Sequence, residues 1–318
     1  MPLNSENSGA QAGVLQPHSD PLFVREGRDR RPSGGQSPRV KTTRADPIRT
    51  LGRVLVWAFV TFNLLVFAFL ILSSFKTTTD IFRAPWGIPG SLNFANWTNA
   101  WNESGFARAT LNTAGLALGA SFCTLAVSAP AAYVLSRIRT RSAGPLSVFF
   151  ALGLGIPAQV TVIPLFEMMS RVGLVNSLLG LFIIYTATHV PFTVFLLTGF
   201  MRSLPREIEE AAAIDGASPF RSFWQVMLPL ARSGLVTVLI LNIISMWNET
   251  LLGIVFLQTV EKYTVSLALL NFLSSMQFSG ADYGGLFAGV CILVLPMLAL
   301  YLWLWRRIIE GITLGAGK

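Results

Sequence analysis

Long apolar runs, separated by short polar stretches, fill most of the chain after residue 50. A helix that crosses the hydrocarbon core of a bilayer needs roughly 20 apolar residues, and six runs reach about that length. These runs are Val54–Ser73, Leu111–Leu135, Leu146–Met169, Ser177–Phe200, Leu235–Leu257 and Gly284–Trp305. The pattern predicts an all-α integral membrane protein with six transmembrane helices.

The first 50 residues have the opposite character. They are rich in Ser, Gly, Pro and Arg, so they can bury little apolar surface, and we expect them to be disordered. They contain no apolar core of a cleavable signal peptide, so the first run is expected to remain as an anchor. The predicted organisation is a disordered cytoplasmic tail over 1–50, a first span with an extracytoplasmic loop over 51–110, and a core of five spans over 111–318.

Composition strengthens the membrane interpretation. Of the 318 residues, 52% are hydrophobic and 13% are charged, whereas a soluble domain usually carries about 25% charged residues. The two cysteines, Cys123 and Cys291, both lie inside apolar runs. We therefore interpret them as free, small apolar side chains rather than as a disulfide pair.

The formal net charge of +8 raises the question of nucleic-acid binding, and the distribution of the charges answers it. Lys and Arg collect on the cytoplasmic side of membrane proteins. If the N-terminus is cytoplasmic, most of the 24 Lys and Arg side chains lie inside, and those outside are Lys76, Arg83, Arg108, Arg171 and Lys262. Both termini are therefore predicted to be cytoplasmic, and no nucleic-acid partner is needed.

The polar segment between the fourth and fifth runs, residues 201–232, has the pattern of two short helices. Pro205 can begin the first helix, because a first-turn N–H has no partner within a helix. Ile208, Ala211 and Ala212 then share one face at the i, i+3, i+4 spacing. We therefore expect an ordered helical loop rather than a plain connector.

A glycine is predicted to separate the two helices. Asp215-Gly216 predicts a stop, since glycine adopts the left-handed backbone without steric cost, and Ser218-Pro219 predicts a new start with a capping hydroxyl. Leu228-Pro229 is expected to end the second helix. That helix carries an apolar stripe formed by Phe220, Phe223, Trp224 and Met227.

Something must cover this apolar stripe, because so short a helix is not stable alone in water. By the predicted orientation the stripe lies on the cytoplasmic side. The protein's own inner surface, a cytoplasmic partner and the lipid headgroups are three candidate covers, and the residues alone do not choose between them.

The same segment carries the spacing of a known motif. It resembles the EAA loop of permease subunits in binding-protein-dependent ABC importers, with Val226 where isoleucine is usual. The matching positions are Glu210, Ala211, Ala212, Gly216, Leu228 and Pro229. From about Val54 to Gly317 the chain resembles the MalG-like subfamily of carbohydrate permeases, through stretches such as "GLVNSLLGLFIIY", "MWNETLL" and "RRIIEGITLGAGK". Thr250 departs from that subfamily, which often has phenylalanine there.

The resemblance implies that residues 111–318 are an ABC permease core that moves a sugar, with residues 201–232 as its coupling loop. It implies that Glu210 pairs with a basic residue of a separate ATPase subunit. The implied contact residues are Glu210, Ala211, Ala212, Gly216, Phe220, Phe223, Trp224 and Pro229. The implied partners are a second permease subunit, a dimer of ATPase subunits that binds ATP and Mg²⁺, and an extracytoplasmic substrate-binding protein.

Polar residues inside the fifth run are candidates for the solute path. A carboxylate in the middle of a membrane helix costs roughly 2.5–3.5 kcal/mol, so this face is expected to meet protein or water. The residues are Asn242, Ser245, Asn248 and Glu249. They can bind the hydroxyls of a sugar, and an interhelical hydrogen-bond network without solute contact is the alternative.

The third run adds Gln159 and Glu167, which lie close to Pro157 and Pro164. Prolines bend helices, and broken helices often line the paths of transporters. A kinked packing helix explains the same residues. His189, alone on the fourth run, is interpreted as a hydrogen-bonded core residue.

Motifs for catalysis are absent from the sequence. It has no G-x-x-x-x-G-K-[ST] stretch for ATP, no metal-binding cluster and no nucleophile elbow. We therefore expect a transport subunit with no cofactor or metal of its own, in the cytoplasmic (inner) membrane of a bacterial-type cell. The alternatives are a permease for a non-sugar solute, a stand-alone secondary transporter, which would need more carboxylates than Glu167 and Glu249, and a membrane-embedded enzyme.

Overall fold

The computed structural model of the chain describes residues 47–102, 104–137 and 143–316. Within these ranges the chain is all-α and contains no strand, as the apolar runs predicted. The helices are α1 Pro47–Ser73, α2 Thr78–Arg83, α3 Ala95–Asn102, α4 Phe106–Arg137, α5 Ala143–Leu154, α6 Ala158–Arg171, α7 Leu178–Ser203, α8 Glu207–Ile214, α9 Pro219–Ser222, α10 Leu228–Leu230, α11 Arg232–Trp247, α12 Leu251–Phe256, α13 Val265–Ser279 and α14 Tyr283–Ala316.

The chain divides into two units, residues 1–56 and 57–318. Of the first unit the structure describes only the beginning of α1, so the disorder predicted for the tail concerns residues that lie mostly outside the described ranges. Residues 47–50 are an exception, because they already belong to α1. The second unit carries all the other helices and the candidate site.

Among the residues that the structure describes, four helices are long and apolar enough to cross a membrane, namely Thr50–Ser73, Phe106–Arg137, Leu178–Ser203 and Tyr283–Trp305. Two further helix pairs are sharply bent at a short break, and the number of spans is six if each pair counts as one. The all-α membrane fold is therefore confirmed, but the third and fifth predicted runs are not single helices.

The third run, Leu146–Met169, is divided at Pro157, which is one of the two prolines at which the sequence predicts a bend. Helices α5 and α6 meet at an angle of 94° across residues 155–157. Pro157 has an extended backbone, with ψ at 132°, and its ring provides no N–H for a continuing helix. Pro164 lies inside α6 without ending it.

The fifth run, Leu235–Leu257, is also interrupted. Helix α11 ends at Trp247, and the short helix α12 begins only at Leu251. The apolar helix α13, Val265–Ser279, was not predicted, because its 15 residues are fewer than the roughly 20 that a span requires.

Helices α4 and α7 form the centre of the second unit. Small side chains on α4, among them Ala117, Ala120 and Ser121, are almost completely buried and permit a close approach of α7. Large side chains on α7, including Leu181 and Tyr185, pack with α11 and α12 in the main apolar cluster. This packing brings the polar residues of α7 and α11 next to each other.

The segment that connects α1 to α3 is ordered. Lys76 is buried, and its Nζ donates to the carbonyl oxygens of Ala84 and Pro85 at 3.0 and 2.8 Å. Asn96 Nδ2 donates to the carbonyl oxygens of Ser74 and Lys76, each at 2.9 Å. These bonds satisfy buried backbone groups and stabilise α2 and α3 at the end of α1.

Candidate functional site

The predicted glycine elbow is present between α8 and α9. Gly216 has a φ of +82°, in the left-handed region that glycine adopts freely. The N–H groups of Gly216 and Ala217 donate to the carbonyl oxygens of Ala213 and Ala212 at 3.1 and 2.9 Å, which is the pattern of a Schellman cap. Backbone hydrogen bonds therefore end α8 at the residue that the sequence indicated.

The second helix of the loop is longer than predicted. Ser218 begins it as expected, since its Oγ accepts a backbone N–H of α9 at 3.3 Å, but Leu228 and Pro229 do not end it. Residues 223–227 form one π-helical turn, in which the Leu228 N–H donates to the Phe223 carbonyl oxygen, and α10 continues the helix. The wider turn accommodates Pro229, and the chain bends by 73° only before α11.

The apolar stripe of this helix is divided between two environments. Phe223 is 5% exposed and Met227 is fully buried, and the Phe223 ring lies 5.1 Å from the Tyr133 ring between centroids. Phe220 and Trp224 are 74% and 50% exposed. The prediction that Phe223 faces a partner is therefore wrong, because the chain's own cluster covers this ring.

Glu209, which is not one of the contact residues implied by the resemblance, joins α8 to the end of α4. Glu209 Oε2 lies 2.7 Å from Arg137 Nε, with 23% and 13% of the two side chains exposed. The Tyr133 hydroxyl donates to Glu209 Oε1. Arg137 Nη2 also contacts Met227 Sδ at 3.8 Å. One end of α4 therefore holds both helices of the loop.

The other side of α8 is free. Glu210 and Ala211 are exposed, Ala212 is half-buried, and Ile214 is 87% exposed. Among the described residues, none forms a hydrogen bond or an ion pair with the Glu210 side chain. Successive residues of a helix point about 100° apart, so Glu209 can face α4 while Glu210 faces away. The loop thus presents a carboxylate beside small and apolar side chains.

Polar side chains form three pairs between α7 and the segment made of α11 and the two residues that follow it, and we call these pairs the polar ladder. The pairs are Tyr185–Glu249 at 2.8 Å, His189–Ser245 at 3.2 Å and Thr193–Asn242 at 2.9 Å. The α7 members are four residues apart, which is about 6 Å along a helix. The polar ladder therefore follows the interface of the two helices over two turns.

Members of the polar ladder differ in exposure. Asn242 is completely buried and its Nδ2 donates to Thr193, so an interhelical bond accounts for it. Ser245 and the neighbouring Asn248 are exposed. Their role in the solute path stays a prediction.

His189 is hydrogen-bonded on both ring nitrogens, as its interpretation as a core residue predicted. Nδ1 lies 2.9 Å from the Tyr185 carbonyl oxygen, which can only accept a hydrogen bond. In the neutral ring Nδ1 therefore carries the proton, and Nε2 accepts from the Ser245 hydroxyl. This arrangement aligns Ser245 with α7.

Glu249 lies at the break between α11 and α12 and caps α12. Its Oε1 accepts the N–H of Leu252 at 2.7 Å, and its Oε2 is 3.3 Å from the N–H of Gly253. A carboxylate at a helix N-terminus satisfies free N–H donors and interacts favourably with the helix dipole. The carboxylate predicted to line a path therefore has structural partners on α7 and α12.

Gln159 and Glu167 are separate from the polar ladder. Both are exposed, and Glu167 forms an ion pair with Arg171 of the same helix, with 2.5 Å between Oε1 and Nη2. Within the described residues, no hydrogen bond connects either of them to α7 or α11. The structure thus places the predicted path residues in two groups.

The chain matches a family of known proteins over most of its second unit. Residues 124–310 match the family of the binding-protein-dependent transport system inner membrane component. The chain belongs to this family. It is therefore the permease subunit of an ABC transporter, located in the inner membrane, and is not itself catalytic.

This permease is similar to curated relatives over most of its length. It is 35% identical to the diacetylchitobiose uptake system permease protein NgcG of Streptomyces coelicolor, over 77% of this chain and 81% of that protein. It is 32% identical to the trehalose transport system permease protein SugB of Mycobacterium tuberculosis, over 73% of this chain and 84% of that protein.

A solved structure shares the permease fold. The crystal structure of a bacterial ABC transporter involved in the import of the acidic polysaccharide alginate matches with a TM-score of 0.70. The match covers 83% of this chain and 98% of that chain at 22% identity. At this identity the likeness shows the fold.

The sequence did not indicate the permease's internal anchors. These are Glu209 in the loop with Tyr133 on α4, and two members of the polar ladder, Tyr185 and Thr193. The i, i+4, i+8 spacing of Tyr185, His189 and Thr193 on the fourth run was a signal that could have found the ladder. No local signal pairs Glu209 with Tyr133, because these residues are 76 positions apart.

Proposed function

We propose that this permease subunit moves a carbohydrate across the membrane and is powered by a separate ATPase subunit through residues 201–232. The names of the Streptomyces coelicolor and Mycobacterium tuberculosis relatives, which refer to diacetylchitobiose and trehalose, support the sugar class. The family description supports a substrate-binding protein as a partner. A second permease subunit and a dimer of ATPase subunits that binds ATP and Mg²⁺ complete the proposed assembly.

The two-sided construction of the loop carries this proposal. Glu209 and Phe223 attach the loop to the chain's own core, whereas Glu210, Phe220 and Trp224 are exposed. A loop that merely connected two spans would not need a rigid elbow with a free apolar and acidic surface. A partner that binds the exposed side can move α4 through the attached side.

The docking contact is proposed to combine charge with apolar burial. Glu210 pairs with a cation of the ATPase, and the small Ala211 and Ala212 permit close approach. Phe220 and Trp224 supply the apolar area, since aromatic side chains contribute strongly to interfaces. Gly216, Ala212 and the exposed Pro229 give the loop its shape.

The loop is proposed to lie in the cytoplasm together with both termini. The Lys and Arg distribution supports this orientation, and it places the segment around α2 and α3 on the outer side, where a substrate-binding protein would deliver the solute. ATP is produced and held inside the cell, so an ATPase must meet the permease on the inner side.

The solute path is proposed to run beside the exposed end of the polar ladder. Ser245 and Asn248 keep exposed donors and acceptors there, which suit the hydroxyls of a sugar. Glu249 and His189 hold this region in place through their bonds to α12 and α7. Gln159 and Glu167, on the exposed α6, are candidates for a second part of the path.

The proposal is tested by solute uptake into proteoliposomes that contain the full complex. ATP is supplied on the side of the membrane where the ATPase subunits lie, and the substrate-binding protein is supplied on the opposite side. The variant Glu210→Lys is compared with Glu207→Lys, an exposed acidic residue one turn earlier in α8. An unpaired charge at an interface costs about 2–5 kcal/mol, so Glu210→Lys should lose ATPase association and uptake, and Glu207→Lys should keep both.

Wild-type ATPase co-purification and uptake by Glu210→Lys would contradict the docking role. The sugar class is tested in the same vesicles with labelled oligosaccharides and labelled amino acids. ATP-dependent uptake of an amino acid, without uptake of any sugar, would contradict the sugar class and support the alternative of a permease for a non-sugar solute.

A further inference from the structure

A groove on the side of the helix bundle combines apolar walls with one guanidinium group. Its volume is about 280 Å³, and it lies between the C-terminal turns of α4 and α7 and the first half of α5. Its apolar wall includes Phe150, Val194 and Phe195, and its polar end includes Ser147 and Arg202. The groove is therefore amphipathic along its length.

The guanidinium of Arg202 has unused donors. Its Nη2 donates to the Leu135 carbonyl oxygen and to Ser147 Oγ, each at a long distance of 3.4 Å. Within the described part of the chain, no carboxylate forms an ion pair with Arg202, in contrast to Arg137 one helix away, which is paired with Glu209. Arginine has five N–H donors in a fork that fits a phosphate group, so this end of the groove suits an anion.

A second polar group in the groove also lacks a partner. Thr198 lies one turn before Arg202 on α7, lines the groove and is 6% exposed. Its hydroxyl has no hydrogen-bond partner among the described residues, and a buried hydroxyl without a partner is unfavourable. The oxygen atom itself is covered, so this hydroxyl adds polarity beneath the wall of the groove and is not a proposed contact of the ligand.

The position of the groove indicates where such a ligand comes from. Arg202 is in the last turn of a helix that is long and apolar enough to span the membrane, Leu178–Ser203, so it lies near the level of the lipid headgroups. Phe195, in the wall, is 52% exposed and is open to the surroundings of the bundle. A free phosphate ion would leave this apolar wall uncovered, whereas a lipid would cover it.

We propose that the groove binds an anionic phospholipid. The phosphate is bound by Arg202 with Ser147 beside it, the first part of one acyl chain packs on Phe150 and Phe195, and the rest of the lipid stays in the bilayer. A zwitterionic lipid fits less well, because its own cation is repelled by a guanidinium that has no carboxylate partner. This site is independent of the solute that the permease carries.

The test measures lipid retention on the purified full complex. The complex is exchanged in detergent with phosphatidylglycerol or with phosphatidylcholine, and the lipids that remain bound are counted by native mass spectrometry. Arg202→Gln removes the charge at the groove, and Arg232→Gln removes an exposed charge outside it. We expect the wild type and Arg232→Gln to retain phosphatidylglycerol in preference to phosphatidylcholine. Arg202→Gln should retain about tenfold less phosphatidylglycerol than the wild type, as expected for one lost charge-assisted contact.

A second variant tests the apolar wall without touching the charge. Gly199 lines the groove, and a Cβ atom added there meets no heavy atom within 4 Å. Gly199→Leu therefore has room for the first atom of its side chain and is expected to occupy part of the groove, and leucine is also the better helix former. We expect this variant to assemble normally, as seen by size-exclusion chromatography, and to lose phosphatidylglycerol.

Three results would overturn the proposal. The first is wild-type retention of phosphatidylglycerol by both Arg202→Gln and Gly199→Leu. The second is equal retention of the two lipids by the wild type. The third is displacement of phosphatidylglycerol by millimolar inorganic phosphate, which would show an anion site that does not use the apolar wall.

Discussion

Replacing Glu209 with glutamine removes the charge that joins α8 to α4 and preserves the size of the side chain. In the wild type this carboxylate lies 2.7 Å from Arg137 Nε and also accepts a hydrogen bond from Tyr133. Glutamine can still accept from Tyr133 through its amide oxygen. The substitution therefore isolates the ion pair.

The size of the effect follows from how far the pair is buried. Breaking a fully buried ion pair costs about 3–5 kcal/mol, whereas an exposed pair contributes about 0.2–1 kcal/mol. The side chains of Arg137 and Glu209 are 13% and 23% exposed, which lies between these limits. We expect Glu209→Gln to weaken the attachment of α8 to α4 by about 1–2 kcal/mol, roughly a tenfold change in equilibrium.

The expected consequence is a loss of coupling rather than a loss of ATPase binding. The assay measures solute uptake and ATP hydrolysis together in proteoliposomes that contain the full complex. Glu209→Gln should lower the amount of solute moved per ATP several-fold while the ATPase still co-purifies. The neighbouring Glu210→Gln is the matched control, and it should weaken ATPase association instead.

Arg137 is the other member of this ion pair. Arg137→Gln should reproduce the uncoupling, and the double variant should be little worse than either single variant, because both remove the same interaction. An unchanged ratio of uptake to hydrolysis in Glu209→Gln would refute the coupling role of the ion pair. Additive effects in the double variant would show that the two residues act separately.

Further predictions concern the elbow, the divided stripe and the polar ladder. Gly216→Ala should lower the free energy of unfolding by about 1–2 kcal/mol, as thermal unfolding can measure. The φ of Gly216 is +82° and the space around it is open, so only the backbone is strained. ATPase co-purification should fall as well. Phe223→Ala should lower the free energy of unfolding of the permease by about 3–5 kcal/mol, because the ring is buried. Phe220→Ala should leave the stability unchanged and weaken ATPase association. Equal stability of the two variants would contradict the division of the stripe. Tyr185→Phe should destabilise the permease by about 1–3 kcal/mol, because a hydrogen bond to the Glu249 carboxylate is lost, and a thermal midpoint identical to that of the wild type would show that the bond is dispensable.

Much of the architecture could be predicted from local features of the sequence. The apolar runs predicted an all-α membrane protein, and the spacing around Gly216 and Ser218 predicted the elbow and the cap of α9. These features depend on neighbouring residues only, because helix periodicity, capping and glycine conformation act over a few positions. The break at Pro157 belongs to the same class, although the sequence did not show that it reaches 94°.

The residues of the candidate site differ in the same way, since some could be predicted from neighbouring residues and others depend on tertiary packing. Glu210 and Phe220 could be identified from motif spacing, and they are exposed where a partner could bind. Phe223 has the same spacing and the opposite environment, since the direction in which α9 packs against Tyr133 is not encoded in the spacing of the stripe. Asn242 was placed among the path residues, and its burial against Thr193 depends on the packing of α11 on α7.

The sequence by itself thus determined the class of fold, most of the long helical segments and the position of the glycine elbow. Only the tertiary structure decided which side of each helix is covered, which acid of the pair Glu209 and Glu210 is attached to α4, and where the fifth run breaks to let Glu249 cap α12. The physical reason is distance along the chain. Local hydrogen bonds and periodicity connect residues within a turn or two, whereas burial and ion pairing connect residues that only the packed helices bring together.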